Sequence, residues 1–155
     1  IQQMRQETLV ELYKKVPHTR QEIKSSYGYA VFSNIGLHVL VLSTGHGSGV
    51  ARNNRTGQDT YMKMFSAGAG IGVGIKAFRG IFIFDNKSAF ERFLNRGWAA
   101  SAQADAAIEL GEIGGYRERA GTIAPGVRLY QLTKNGLAAQ ITIQGTKYWK
   151  DDDLN

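Results

Sequence analysis

The chain reads as one α+β domain over residues 1 to 155, in which a twisted, mainly antiparallel sheet curls toward a barrel or sandwich, covered by N-terminal helices and one internal helix. Three observations predict this. Glycine stands at every second position from Gly68 to Gly74, and again at Gly45, Gly47 and Gly49, the rhythm of a strand with one bare face and one side-chain face. Leu9, Leu12, Tyr13 and Val16 recur at i, i+3, i+4 and i+7, the stripe of an amphipathic helix. The run Ile81-Phe82-Ile83-Phe84 has no polar face, as a strand covered on both sides requires.

In chain order, the first helix fills residues 1 to 16 and Pro17 ends it. A second, short helix starts at Thr19, whose spacing to Glu22 is that of a capping box, with Ile23 and Tyr27 four apart behind it. Strands follow at residues 29–32, 37–42 and 49–52, then the turn Asn53-Asn54-Arg55-Thr56-Gly57, then the glycine strand. The buried strand at 81–84 leads to a helix opened by Ser88 and Glu91, with Phe90, Phe93 and Leu94 on its apolar face and Gly97 as its stop. Residues 98 to 110 carry alanines that favour helix, yet Trp98, Ala100, Ala102, Ala104, Ala106, Ile108 and Leu110 alternate with polar residues, and the period of two predicts a strand. Asn135-Gly136 predicts a two-residue hairpin turn that sets Leu132 opposite Ala139 and Tyr130 opposite Ile141. The bare glycine face needs a close neighbour, and packing against protein is expected at Gly70 and Gly72 in preference to an open acyl groove.

Composition narrows the function classes. No apolar run reaches the roughly 20 residues of a membrane-spanning helix. The chain has no cysteine, which removes disulfides and thiolate metal sites. It begins at Ile1 rather than methionine, which leaves room for an export signal or lipid-bearing leader upstream. Nineteen Lys and Arg against thirteen Asp and Glu give a formal charge of +6, with Asp151, Asp152 and Asp153 together at the end, so the body is more basic than the total suggests. A positive field favours anionic partners.

Catalytic signatures are weak. Ser48 lies between glycines at 47 and 49, whereas a G-x-S-x-G elbow needs glycine where His46 and Val50 stand. Neither glycine run matches G-x-G-x-x-G, and there is no phosphate-binding P-loop. His18, His38 and His46 lack the spacing of metal ligands, and Asp59 and Asp85 hold the positions of turn and cap acids. No enzyme activity, metal or cofactor is expected, and a small hydrolase using Ser48 or His46 is the weakest alternative.

An ordered series then carries a family resemblance. Tyr29-Ala30-Val31-Phe32, Gly47-x-Gly49-Val50, the Gly68 to Gly74 run, Phe82-Ile83-Phe84, Phe93-x-x-x-Gly97-Trp98, Val127-x-x-Tyr130, Gly136-Leu137 and Gly145-x-x-Tyr148 together resemble the SYLF domain family, from about residue 8 onward. The Tyr148-Trp149 and Leu154-Asn155 ending is similar to the family's bacterial branch. The resemblance implies non-catalytic lipid binding, with phospholipid or phosphoinositide as partner, membrane contact near the N-terminal helix, and a periplasmic or envelope location. Lys14, Lys15, Arg20 and Lys24, which flank the apolar stripe, are the expected lipid-binding residues, with Lys76 and Arg79 as a second group. No nucleic acid is expected as partner. A protein-interaction or assembly module of the cell envelope is the alternative from another class.

Overall fold

Residues 28–33 and 78–84 are rich in aromatic and β-branched side chains, which suit a pleated surface buried on both sides. They form two adjacent inner strands of the sheet. The computed structural model describes residues 1–33, 46–66, 78–99, 112–113, 116–117, 120–133, 136–137 and 146–155. Among these, helices α1 (Gln2–Lys15), α2 (Thr19–Ser25) and α3 (Lys87–Arg96) accompany strands β1 (Gly28–Ser33), β2 (His46–Asn53), β3 (Asp59–Ser66), β4 (Phe78–Phe84), β5 (Trp98–Ala99), β6 (Glu112–Ile113), β7 (Tyr116–Arg117), β8 (Ala120–Ala124), β9 (Val127–Thr133), β10 (Gly136–Leu137) and β11 (Thr146–Lys150).

The main sheet runs β10-β9-β4-β1-β2-β3-β11-β5, with β8 also paired to β9, while β6 and β7 form a separate ribbon. Every pairing among the described strands is antiparallel. The sheet curls into a half-barrel, and the fold is α+β as the sequence predicts.

Alternation along the strands sorts the core into two layers. Tyr29, Val31, Ile81, Ile83, Tyr130 and Leu132 face α1 and α2, where Leu12, Val16 and Ile23 close over them. Ala30, Phe32, Met62, Met64, Phe82, Phe84, Leu129 and Tyr148 face the other way and meet Ala89, Phe90 and Phe93 of α3. Rings on this side interlock: Phe32 lies edge-on to Phe82 at 5.6 Å and to Tyr148 at 4.8 Å, and Phe84 meets Phe90 at 5.4 Å. Each such pair adds about 0.5–1.5 kcal/mol to what area burial supplies.

The N-terminal stripe packs on the sheet: Leu12 is fully buried, and Leu9 and Tyr13 are partly buried against the same cluster. Two helix starts differ from the sequence expectation. The N-cap of α2 is His18, already in helical conformation, and the Thr19 hydroxyl donates back to the Val16 carbonyl at 2.6 Å instead of capping forward. Asn86, not Ser88, caps α3: its extended backbone lets the side chain accept the Ala89 N–H at 2.8 Å. The final hairpin is also shifted. Thr133 pairs with Gly136 and Leu132 with Leu137, so Gly136 is a paired strand residue and Leu132 is opposite Leu137 instead of Ala139. The expected strand at 98–110 is seen as β5 over its first two residues. The rest of it, the expected strand at 37–42 and the Gly68 to Gly74 run lie outside the described residues.

The earlier glycine run has an observable neighbour. A Cβ on Gly49 would collide with Phe32 Cδ1 and the Val31 carbonyl oxygen. The bare position on β2 is filled by the Phe32 ring, while Gly70 and Gly72, where packing is expected, lie outside the described residues. Gly49→Ala is expected to lower stability by about 1–3 kcal/mol through overpacking. A lower urea midpoint with unchanged slope is the predicted readout; an unchanged midpoint contradicts the packing role.

Candidate functional site

Three ionic contacts clamp the α1–α2 layer onto the sheet. At the start of α1, Arg5 lies 2.8 Å from the Asp59 carboxylate, which Arg52 also approaches at 3.3 Å. Midway, Glu11 pairs with Arg79 of β4. Under α2, Glu22 accepts from Arg128 and, at 2.8 Å, from the Tyr130 hydroxyl, and Arg128 reaches on to Asp85 at 2.7 Å. Burial alone would lower the Arg128 pKa, but Glu22 and Asp85 more than offset it, and the guanidinium is held above its ordinary value. His18 stands beside this cluster, its Nε2 3.4 Å from the Tyr130 hydroxyl and 3.7 Å from Glu22.

The clamps hold two of the layer's acids against the sheet. Glu11 and Glu22 are engaged with Arg79 and Arg128, while Lys14, Lys15, Arg20 and Lys24 are exposed, with Glu7 as the exposed acid of the two helices. Lys14 and Lys15 occupy the last turn of α1, where a cation complements the helix dipole. Arg20 lies over the Tyr13 ring, 4.7 Å from its centroid, a cation–π contact that ties the start of α2 to the end of α1. Burial and the nearby Tyr29 push the Tyr13 hydroxyl above its ordinary pKa against the pull of Arg20, so the ring stays neutral. Exposed apolar side chains share this side of the sheet: Ile1 and Val10 on α1, and Trp149, whose register opposite Lys63 places it on the same sheet face.

Of the residues the sequence singled out for lipid, Lys14, Lys15, Arg20 and Lys24 are all exposed on α1 and α2. Arg79 is apart from them: it sits beneath α1 with its charge engaged by Glu11. Lys76 lies outside the described residues, as does His38. Ser48 and His46 are two apart on β2. Among the described residues, no group of three or more His, Cys, Asp or Glu is placed to hold a metal.

A second feature was not singled out from sequence. Where α3 ends, Gly97 adopts φ 68°, and a Cβ there would fall 2.5 Å from the Tyr148 carbonyl oxygen. This close approach lets β5 run beside β11 and leaves a groove of about 590 Å³ at the sheet edge, lined among others by Phe65, Arg96, Trp98, Lys147 and Trp149. The readable signal was the sequence Lys147-Tyr148-Trp149-Lys150, because alternation on a strand turns Tyr148 into the core and puts Lys147 and Trp149 on the opposite face.

The geometry thus defines an α+β domain with a clamped basic helical layer on one side and an aromatic groove at its edge. No family model matches the chain. It is 37% identical over 157 residues to a protein of Aeromonas veronii named Beta cell expansion factor A, and the match takes in 99% of this chain and 57% of that relative. The chain therefore spans a little over half the length of the curated relative it matches.

The clamp under α2 is open to direct test. Glu22→Gln removes the charge that Arg128 and Tyr130 share and is expected to cost about 1–3 kcal/mol, as for a hydrogen bond to a charged group. Glu7→Gln, on the exposed side, is expected to change stability by less than about 0.5 kcal/mol. Urea unfolding of both variants checks this; equal effects would contradict the clamp.

Proposed function

We propose that the chain is a SYLF-like, non-catalytic lipid-binding module that docks on anionic phospholipid or phosphoinositide surfaces through the outer side of α1 and α2. The observation that carries the reading is the pairing of exposed cations, Lys14, Lys15, Arg20 and Lys24, with exposed Val10 and Ile1 on one helical layer. Interfacial binding needs both: basic groups attract acidic headgroups, and apolar side chains enter the headgroup and acyl boundary. Leu9, Leu12, Tyr13 and Val16 hold the helix to the sheet, so the layer meets the membrane as a rigid, preformed surface.

α3 also exposes Arg92 and Arg96, with Lys87 3.9 Å from Glu91. It exposes no large apolar side chain, which favours the α1–α2 side. Under this reading the protein works at the periplasmic or envelope face of a bacterial membrane. A second reading, a protein-interaction or assembly module, draws on the relative's name, that of an expansion factor for beta cells; binding would then not depend on lipid.

Co-sedimentation with vesicles separates the two. The domain is expected to pellet with acidic vesicles and not with purely zwitterionic ones, and to be released as salt screens its exposed charges. Lys14→Glu together with Lys15→Glu is expected to weaken binding by about tenfold or more, at roughly 1 kcal/mol per cation near the surface. Equal binding to both vesicle types would overturn the electrostatic reading, and unchanged binding of the double variant would remove α1 from the site.

A further inference from the structure

We propose that the groove at the β5–β11 edge binds the acyl chain of a monomeric anionic amphiphile, with Arg96 and Lys147 holding its acidic head and Phe65, Trp98 and Trp149 lining the chain. The inference goes beyond membrane docking, because the ligand is taken up singly and no bilayer takes part.

Size and lining support this. A volume of about 590 Å³ falls inside the roughly 300–1,000 Å³ range of small-molecule sites. Trp98 is fixed from behind by the core, its ring 5.8 Å from Tyr148 and 6.1 Å from Phe82, so that wall is rigid and in place before a ligand arrives. Trp149, on the face of β11 opposite to Tyr148 and Trp98, is 38% exposed, more than a packed core tryptophan would leave to water, and a chain lying along the groove would cover it.

Charge decides the class of ligand. Among the described residues, Lys63 pairs with Asp151 and Asp153, Lys87 with Glu91, and Arg5, Arg52, Arg79 and Arg128 with acids of their own. Arg96 and Lys147 are both exposed and line the groove, and among the described residues no acid pairs with either. Two cations beside an apolar trough complement a carboxylate or phosphate attached to a hydrocarbon chain. A neutral chain would leave the cations unanswered, and a small inorganic anion would leave the aromatic walls in water. The guanidinium of Arg96 suits a planar carboxylate, and the ammonium of Lys147 adds a point charge.

The chain has two tryptophans, and both line this groove, so tryptophan emission reads the site directly. The full chain is titrated, without vesicles, with sodium decanoate well below its micelle-forming concentration, and in parallel with hexanoate and 1-decanol. A saturable blue shift with decanoate is expected. Hexanoate should bind about tenfold or more weakly, because each lost methylene removes apolar burial. Decanol should be weaker by about tenfold through loss of the charge-assisted contacts. Arg96→Gln with Lys147→Gln, both at exposed positions, should bring decanoate down to the decanol affinity while far-UV circular dichroism stays unchanged.

No saturable shift with decanoate overturns the proposal. Equal affinity for decanoate and decanol overturns the role of the two cations, and a shift that sedimentation shows to follow self-association would assign the groove to a second copy of the chain. Since no bilayer is present, failure here leaves the vesicle result untouched, and failure of vesicle binding leaves this result untouched.

Discussion

Two-sided burial of β1 and β4 is the constraint from which the rest of the architecture follows. All six residues of β1 are buried, and Ile81, Phe82, Ile83 and Phe84 of β4 are completely so. A sheet with apolar side chains on both faces is stable in water only if each face is covered. One cover is the α1–α2 layer and the other is α3, and the two do different work. The α3 side is an aromatic core in which Phe32, Phe82, Phe84, Phe90 and Phe93 fill the space, helped by a glycine at position 49 that gives Phe32 room. The α1–α2 side is thinner in apolar contact and relies on arginine–carboxylate clamps.

Those clamps have a consequence for the surface. Glu11 and Glu22 are spent beneath the helices on Arg79 and Arg128, so the outward face of the layer keeps its lysines and Arg20 with little negative charge to balance them. A structural device, holding two short helices against a sheet, thereby generates a directional positive field. The charges that bind the layer to the protein and those that face outward are separate sets. A change to the outer set is therefore expected to alter binding without loosening the fold.

Much of the fold was legible because its signals are local and periodic. The stripe Leu9-Leu12-Tyr13-Val16 and the unbroken run at 81–84 state their own burial, and Gly97 states its turn. The caps were harder. Thr19 and Ser88 both have capping-box spacing, yet His18 and Asn86 hold the cap positions: Thr19 bonds back to the Val16 carbonyl and Glu22 is drawn to Arg128, while the Asn86 side chain accepts the Ala89 N–H. The hairpin after β9 pairs Leu132 with Leu137, a register that differs from the one the Asn135-Gly136 preference sets. For the candidate site, sequence could group Lys14, Lys15, Arg20 and Lys24, which are near neighbours in the chain. It could not separate Arg79, whose partner Glu11 is distant in sequence, nor join Arg96 and Trp98 to Lys147 and Trp149, since that groove exists only once β5 is laid against β11.

The central proposal is that the two covers have different partners, lipid for the α1–α2 layer and solvent for α3. The absence of cysteine from the chain makes a single introduced thiol a unique label site. Lys14→Cys and Glu91→Cys, both at exposed positions, would each carry a polarity-sensitive dye and be mixed with vesicles rich in anionic phospholipid. The account predicts a blue-shifted, brighter emission from the label at position 14 and an unchanged emission from that at position 91. A response at position 91 with none at position 14 would contradict it.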